Sequence, residues 1–134
     1  MKNLFILTSL LILISCNSSN SKEEISSLKD EVMSIHDEVM PKIGDLRRAR
    51  KDLLLQADSL MESNPDRAAM LTTVADDIAD ASEGMMQWMR AYEPDFEGSE
   101  EEIRQYFKDQ KKAIQEVKER MNSSLAKGKE VLGS

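Results

Sequence analysis

Apolar residues recur along most of the chain at intervals of three or four positions, and this spacing predicts amphipathic helices. The first apolar stripe runs from residue 23 to about residue 61, but it shifts around the helix between Val39 and Ile43. Pro41 lies within that shift. Because proline lacks a backbone donor and clashes with the preceding turn, we expect a kink or a short break near Met40. The stripe consists of Ile25, Leu28, Val32, Ile35, Val39, Ile43, Leu46, Leu53, Ala57 and Leu60.

Two further helices are predicted, each with an N-terminal signal. Asn64 is placed to cap the second helix, and Pro65 occupies its first helical position. Ser99 and Glu102 form a Ser-x-x-Glu capping box at the start of the third helix, after a turn at residues 93–98. The second helix is expected to bury Leu71, Val74, Ile78, Ala81, Met85, Trp88 and Tyr92, and the third Ile103, Phe107, Ile114, Val117, Met121 and Leu125.

The predicted fold class is therefore all-α. No stretch shows sustained strand alternation, and aromatic residues, glycine and proline are scarce. Short turns make successive helices antiparallel neighbours. We expect one domain over residues 23–134, an elongated up-down-up three-helix bundle whose long first helix is kinked near Pro41.

The N-terminal residues have the pattern of a secretory signal peptide. Lys2 precedes an apolar run at residues 4–14, which is shorter than the roughly 20 residues that a membrane-spanning helix needs. Leu13-Ile14-Ser15-Cys16 resembles the lipobox of bacterial lipoproteins. The resemblance implies that residues 1–15 are removed by cleavage after Ser15, and that Cys16 carries diacylglycerol on its sulfur and a fatty acyl chain, such as palmitate, on its new amine. The alternative is a plain signal peptide that contains a cysteine.

A lipidated Cys16 would tether the protein to a membrane without spanning it, since two or more acyl chains give stable anchoring. Residues 16–22 are then expected to form the lipidated cysteine and a flexible polar linker. Asn17 replaces the aspartate that signals inner-membrane retention in many Gram-negative bacteria, which favours the outer membrane. Residues 21–24 are similar to surface-export signals of Bacteroidetes-type lipoproteins, but they also suit an ordinary helix start. The periplasmic or surface face stays open.

The composition argues against several classes of function. The net charge of −7 argues against binding nucleic acid or anionic lipid headgroups, both of which require a positive surface. With the only cysteine lipidated, no thiol nucleophile remains, and no glycine-rich phosphate loop occurs. The acidic runs at residues 76–77 and 100–102 are predicted to lie on solvated helix faces. We therefore expect no catalytic residue and a protein that is not an enzyme.

One group of residues suits a soft metal. His36 is the only histidine, Trp88 is the only tryptophan, and methionines surround both. Counting back from the turn near Asn64 places His36, Met40, Met85 and Met89 at one level of the bundle, beside Trp88. Imidazole and thioether ligands suit Cu(I) or Ag(I), and the set is similar to that of periplasmic copper chaperones, which have a different, β-barrel fold. The competing interpretation is core packing without any cofactor, because methionine fills irregular gaps.

The segments HDEVMPKIGDLRRARKDLL and MMQWMRAY, taken with the lipobox, resemble small helical lipoproteins of Bacteroidetes-type bacteria. Some of these are labelled viral A-type inclusion proteins, a name that reflects coiled-coil similarity. The resemblance implies a lipid-anchored protein of the cell envelope but no established activity. We expect a scaffolding or partner-binding bundle, with a protein partner and self-association both open, and a Cu(I)- or Ag(I)-binding protein as the alternative.

Overall fold

The structure is a computed structural model that describes residues 17–133, and these residues are almost entirely α-helical. The all-α prediction is confirmed for this part of the chain, in which no strand occurs. Helices α1 and α2 together correspond to the predicted first helix. The helices are α1 (Asn17–Val39), α2 (Lys42–Leu60), α3 (Pro65–Ala91) and α4 (Glu100–Leu132).

Helix α1 begins earlier than predicted. Residues 17–22, expected to be a flexible linker, are its first turns. The physical reason is a contact that composition does not reveal: Ser21 is buried, and its hydroxyl accepts a hydrogen bond from the Arg104 guanidinium of α4. Arg104 also lies 2.9 Å from the Glu24 carboxylate. The polar start of α1 is thus held against α4 by hydrogen bonds and charge.

The helix is interrupted at Met40 and Pro41, where a break was predicted. Helix α1 ends at Val39, and the Met40 amide still donates to the His36 carbonyl at 2.9 Å. Helix α2 then starts at Lys42. On either side of the interruption the packing differs, because α1 packs mainly against α4 whereas α2 packs mainly against α3 and also contacts α4.

The predicted N-terminal signals of α3 and α4 are confirmed. The Asn64 side chain accepts a hydrogen bond of 3.1 Å from the Arg67 amide, with Pro65 at the first helical position. Ser99 and Glu102 form a complete capping box at the start of α4. These bonds satisfy amide groups that have no partner inside the helix.

The buried core follows the predicted apolar stripes closely. In α3 and α4, Tyr92, Ile103 and Val117 are only half-buried. The core includes residues that the stripes omitted, among them Ala49, Ala75 and Gly128. Gly128 is required by close packing, since a Cβ there would lie 2.8 Å from Cδ1 of Ile78. The largest fully buried side chains are Phe107, Leu46, Leu53, Leu71, Ile78, Met85, Ile114, Met121, Val32 and Val39.

Ion pairs and hydrogen bonds join the first part of the chain to α4, and four of them share one sequence offset. Lys118 pairs with Glu38 at 2.6 Å, 80 residues earlier, and Lys42 donates to Asn122, again 80 residues apart, at 2.6 Å. Two further pairs keep the same offset, Glu24 with Arg104 and Glu31 with Lys111. The glutamates recur every seventh residue, which is the heptad spacing of parallel helices in a coiled coil.

Two glycine substitutions should have opposite effects on stability. At Gly84, inside α3, a Cβ would meet Arg120 at 3.6 Å, an ordinary contact, so Gly84→Ala should stabilise the helix by about 0.5–1 kcal/mol. Gly128→Leu should destabilise the protein by about 1–3 kcal/mol through overpacking against Ile78. Urea unfolding followed by circular dichroism measures both. Equal effects of the two substitutions would contradict this packing.

Acid should weaken the contact between α1 and α4. Hydrogen bonds from Lys111 and Lys118 lower the pKa values of Glu31 and Glu38, respectively, from their ordinary 4.5. A carboxylate with a lowered pKa stabilises the fold above its ordinary pKa and loses that contribution as pH falls through its folded value. We expect the melting temperature to fall between about pH 5 and pH 3, and to fall less in Glu31→Gln/Glu38→Gln. Glu62→Gln is the control, and an equal acid response in all three proteins would contradict the prediction.

Candidate functional site

The predicted His/Met cluster lies where the end of α1 approaches the end of α3. His36 Nε2 is 3.4 Å from Met89 Sδ, and the His36 and Trp88 ring centroids are 5.9 Å apart. The structure therefore brings together one imidazole nitrogen, one thioether sulfur and an indole ring. Since α1 packs chiefly on α4, this is a local contact between two helices that share little other surface.

The second ring nitrogen of His36 has a partner of its own. Nδ1 lies 2.9 Å from Asp37 Oδ1. Only 18% of the His36 side chain is exposed, compared with 73% of Asp37, so the ring is enclosed while the carboxylate stays in water. Both nitrogens of the imidazole are thus engaged in contacts that fix its orientation.

The other methionines of the cluster differ in exposure. Met85 is fully buried in the core, and Met40 and Met89 are half-buried against it. Met40 follows His36 by four residues and Met85 precedes Met89 by four, so each lies one helical turn from a residue of the direct contact. Of the other methionines near this cluster in sequence, Met86 is half-buried and Met33 is 39% exposed.

A stack of aromatic rings continues from the His36–Met89 contact toward the start of α4. Trp88 stacks on Tyr92 with centroids 4.8 Å apart, and Tyr92 meets the edge of Phe107 at 6.4 Å. Phe96 stacks on Tyr106 at 4.3 Å. Every Phe, Tyr and Trp between residues 17 and 133 belongs to this group. Sequence reasoning missed Phe96 and Tyr106, although their positions beside the turn at residues 93–98 were a usable signal.

Burial also shapes the chemistry of this aromatic group. It raises the pKa of the Tyr92 hydroxyl, with smaller contributions from Tyr106 and Asp95. Trp88 is 8% exposed, and its indole nitrogen has no hydrogen-bond partner among residues 17–133. An unpaired buried donor costs about 1–3 kcal/mol, so stacking and core packing must offset this cost.

The acidic residues do not assemble into a site. Asp76 and Asp77 are exposed on α3, as are Glu100, Glu101 and Glu102 at the start of α4. Hydrogen bonds from Ser99 lower the pKa of Glu102 as part of the capping box. Within residues 17–133, no three His, Cys, Asp or Glu residues converge in a way that could hold a metal ion.

A groove that sequence reasoning missed runs between α2 and α3. Two cavities of about 300 and 540 Å³ lie along it, and they have no lining residue in common. Met61, 67% exposed, is the most accessible large apolar residue on its wall. We name it the α2–α3 groove. Its lining includes Ile43, Arg47, Arg50, Leu54 and Asp58 from α2, Met61 just after α2, and Ala69, Thr72, Ala79, Ser82, Glu83 and Met86 from α3.

The α2–α3 groove carries charges of both signs, because Asp58 and Glu83 line it together with Arg47 and Arg50. Arg47 and Arg50 are exposed, and neither makes an ion pair with another residue in the part of the chain that the structure describes. The neighbouring Arg48, in contrast, pairs with Asp45 on its own helix. Because cations and carboxylates both lie beside its apolar walls, the groove favours a self-complementary ligand.

The predicted lipidation and cleavage residues, Cys16 and Ser15, lie outside the described residues, as does the predicted signal peptide at residues 1–15. Among helices α1 to α4, none has an apolar stretch long enough to cross a bilayer. The chain matches no protein-family model, no curated protein and no solved structure.

Proposed function

We propose that the protein is a lipid-anchored, non-enzymatic scaffold of the bacterial cell envelope, held at the outer membrane. The lipobox-type residues Ser15 and Cys16 support the anchor. The residues that follow also support the proposal. Helix α1 starts at Asn17, and its buried Ser21 is hydrogen-bonded to Arg104 of α4. A lipid on Cys16 would therefore be attached at the start of a helix that is docked on the rest of the protein.

We also infer the arrangement of the helices as an up-down-up bundle in which α1 and α2 together form the first arm. The 80-residue offset that recurs in four contacts between this first arm and α4 is what parallel arms require. The start of α3 meets the end of α4, since Arg67 donates to the Val131 carbonyl at 2.5 Å, as expected of antiparallel arms. In this arrangement the turn at residues 61–64 and the end of α4 lie far from the start of α1.

The exposed α2–α3 groove is the observation that supports partner binding. It leaves Met61 in solvent beside half-buried Leu54, while two arginines lack ion pairs within residues 17–133. A solvated apolar surface with unpaired charges is typical of a protein interface. The groove lies between two helices, and an amphipathic helix is the natural occupant of such a surface.

The occupant we propose is α2 of a second copy. Along α2 and its C-cap, the lining residues that are not buried read apolar, Arg, Arg, apolar, Asp, apolar, namely Ile43, Arg47, Arg50, Leu54, Asp58 and Met61. If two copies align α2 in opposite directions, Ile43 meets Met61, Arg47 meets Asp58, and Arg50 lies beside Leu54. A surface that complements itself in this way forms a symmetric twofold interface, which makes the protein a membrane-tethered dimer.

The anchor is tested by mass spectrometry of the full chain extracted from membranes. We expect the mature N-terminus to be Cys16, carrying diacylglycerol and an additional acyl chain. Ser15→Gly should preserve processing because the position stays small, whereas Cys16→Ala should remove the lipid and release the protein from the membrane fraction. An unmodified cysteine in the native protein would refute the anchor.

The self-association is tested by reversing charges in the groove. Arg47→Glu and Asp58→Arg should each weaken the dimer at least about tenfold, by placing like charges opposite each other, and the double variant should restore it. Sedimentation equilibrium of the full chain in neutral detergent gives the dissociation constants. Arg48→Glu is the control, since Arg48 lies outside the groove. A monomer at all concentrations, or a double variant as weak as the single ones, would refute this interface.

A further inference from the structure

The hydrogen bond between His36 and Asp37 bears on the contact between His36 Nε2 and the Met89 sulfur. A carboxylate only accepts hydrogen bonds, so the 2.9 Å contact with Asp37 requires the proton to be on Nδ1. In the neutral ring Nε2 then presents a lone pair. The atom facing it at 3.4 Å is the Met89 sulfur, which also has lone pairs and no proton to give. The contact is satisfied in one of two ways: Nε2 carries a proton and donates it to the sulfur, or the neutral ring and the thioether share a soft cation.

We propose that His36 Nε2 and Met89 Sδ bind one soft monovalent cation, Cu(I) or Ag(I). Metal–nitrogen and metal–sulfur bonds of about 2.0 and 2.3 Å, as in zinc sites, span 3.4 Å at an angle of roughly 105°. The two ligand atoms are thus already spaced for one metal ion. A thioether is a soft ligand, which selects Cu(I) over hard ions such as Mg²⁺ or Ca²⁺.

Further soft groups occur in the neighbouring helical turns. Met40 and Met85 each lie one helical turn from a residue of the pair, on α1–α2 and α3 respectively. The Trp88 ring, close to that of His36, offers an electron-rich face to a bound cation. No convergence of hard oxygen ligands competes for the ion within residues 17–133.

Asp37 acts as a positioning residue for this site. A metal-binding imidazole usually donates its other N–H to a carboxylate or carbonyl, which fixes the tautomer and increases ligand basicity. The Asp37 carboxylate occupies that position beside Nδ1, and it is 73% exposed, so it can be changed without disturbing the core. Because the contact links α1 to α3, a bound cation would also fasten together two helices that otherwise share little surface.

The proposal is tested with the full chain carrying Cys16→Ser, in detergent, so that no thiol competes for copper. Under anaerobic conditions, we expect one Cu(I) per chain to be withdrawn from bathocuproine disulfonate. His36→Gln and Met89→Leu should each weaken Cu(I) binding at least about tenfold, and Asp37→Asn by a similar factor through loss of the positioning hydrogen bond. Met70→Leu is the matched control, because Met70 is an exposed methionine of the same helix that lies outside the site.

Two spectroscopic readouts separate metal binding from a merely structural role. Trp88 is the only tryptophan, so Ag(I) should quench the protein's indole emission, and Met89→Leu should abolish the quenching while helix content by circular dichroism is unchanged. Nitrogen-15 NMR should find the His36 proton on Nδ1 and a shift of Nε2 upon Ag(I) addition. Copper that stays with the chelator, equal losses in Met89→Leu and Met70→Leu, or an imidazolium with protons on both nitrogens that ignores Ag(I), would each overturn the site. None of these results depends on the lipid anchor or on the dimer.

Discussion

The interruption of the first arm at Pro41 is the constraint on which the other features depend. Proline cannot donate to the helix ladder and its ring crowds the preceding turn, so α1 cannot continue straight into α2. The two segments consequently pack against different neighbours, α1 on α4 and α2 on α3. His36 lies in the last turns of α1, next to this change of partner, and only there does α1 present a side chain to Met89 of α3.

The aromatic stack explains why the end of α3 holds its position at this junction. Trp88 is enclosed by Tyr92 on one side and approached by His36 on the other, and Phe107 of α4 closes the group through Tyr92. Large rings fix the separation of helices more rigidly than flexible methionine chains can. Met85 and Met40 then fill the space left beside the ring and the break, which is the behaviour expected of methionine. Core packing and a soft ligand set are thus compatible descriptions of the same residues.

Much of the fold could be predicted from the sequence because local rules decide it. Asn64, Ser99 and Pro41 act on the backbone next to them, and the apolar stripes of α3 and α4 are regular, so helix ends and most of the core followed directly. The predicted start of α1 was wrong, because the first turns of this helix are held by a hydrogen bond from Arg104, which is distant in sequence. Counting from the turn near Asn64 placed His36 near Met89. It could not reveal the Asp37 hydrogen bond or the α2–α3 groove, which depend on side-chain direction and on which faces stay uncovered.

Ion pairs with other helices are unevenly distributed along the first arm. This difference between α1 and α2 bears on how the proposed scaffold and the proposed metal site can share one small bundle. Ion pairs at heptad spacing join α1 to α4, so these charges are already paired within the protein. In the α2 half, Arg47 and Arg50 make no ion pair within the described residues, and Met61, just after α2, is exposed. These residues are therefore accessible to the second copy that we propose as partner. The His36–Met89 contact lies between the two halves. A cation at the site that we propose would stiffen the connection between α1 and α3. Because this site and the proposed dimer interface occupy different surfaces, the two need not compete.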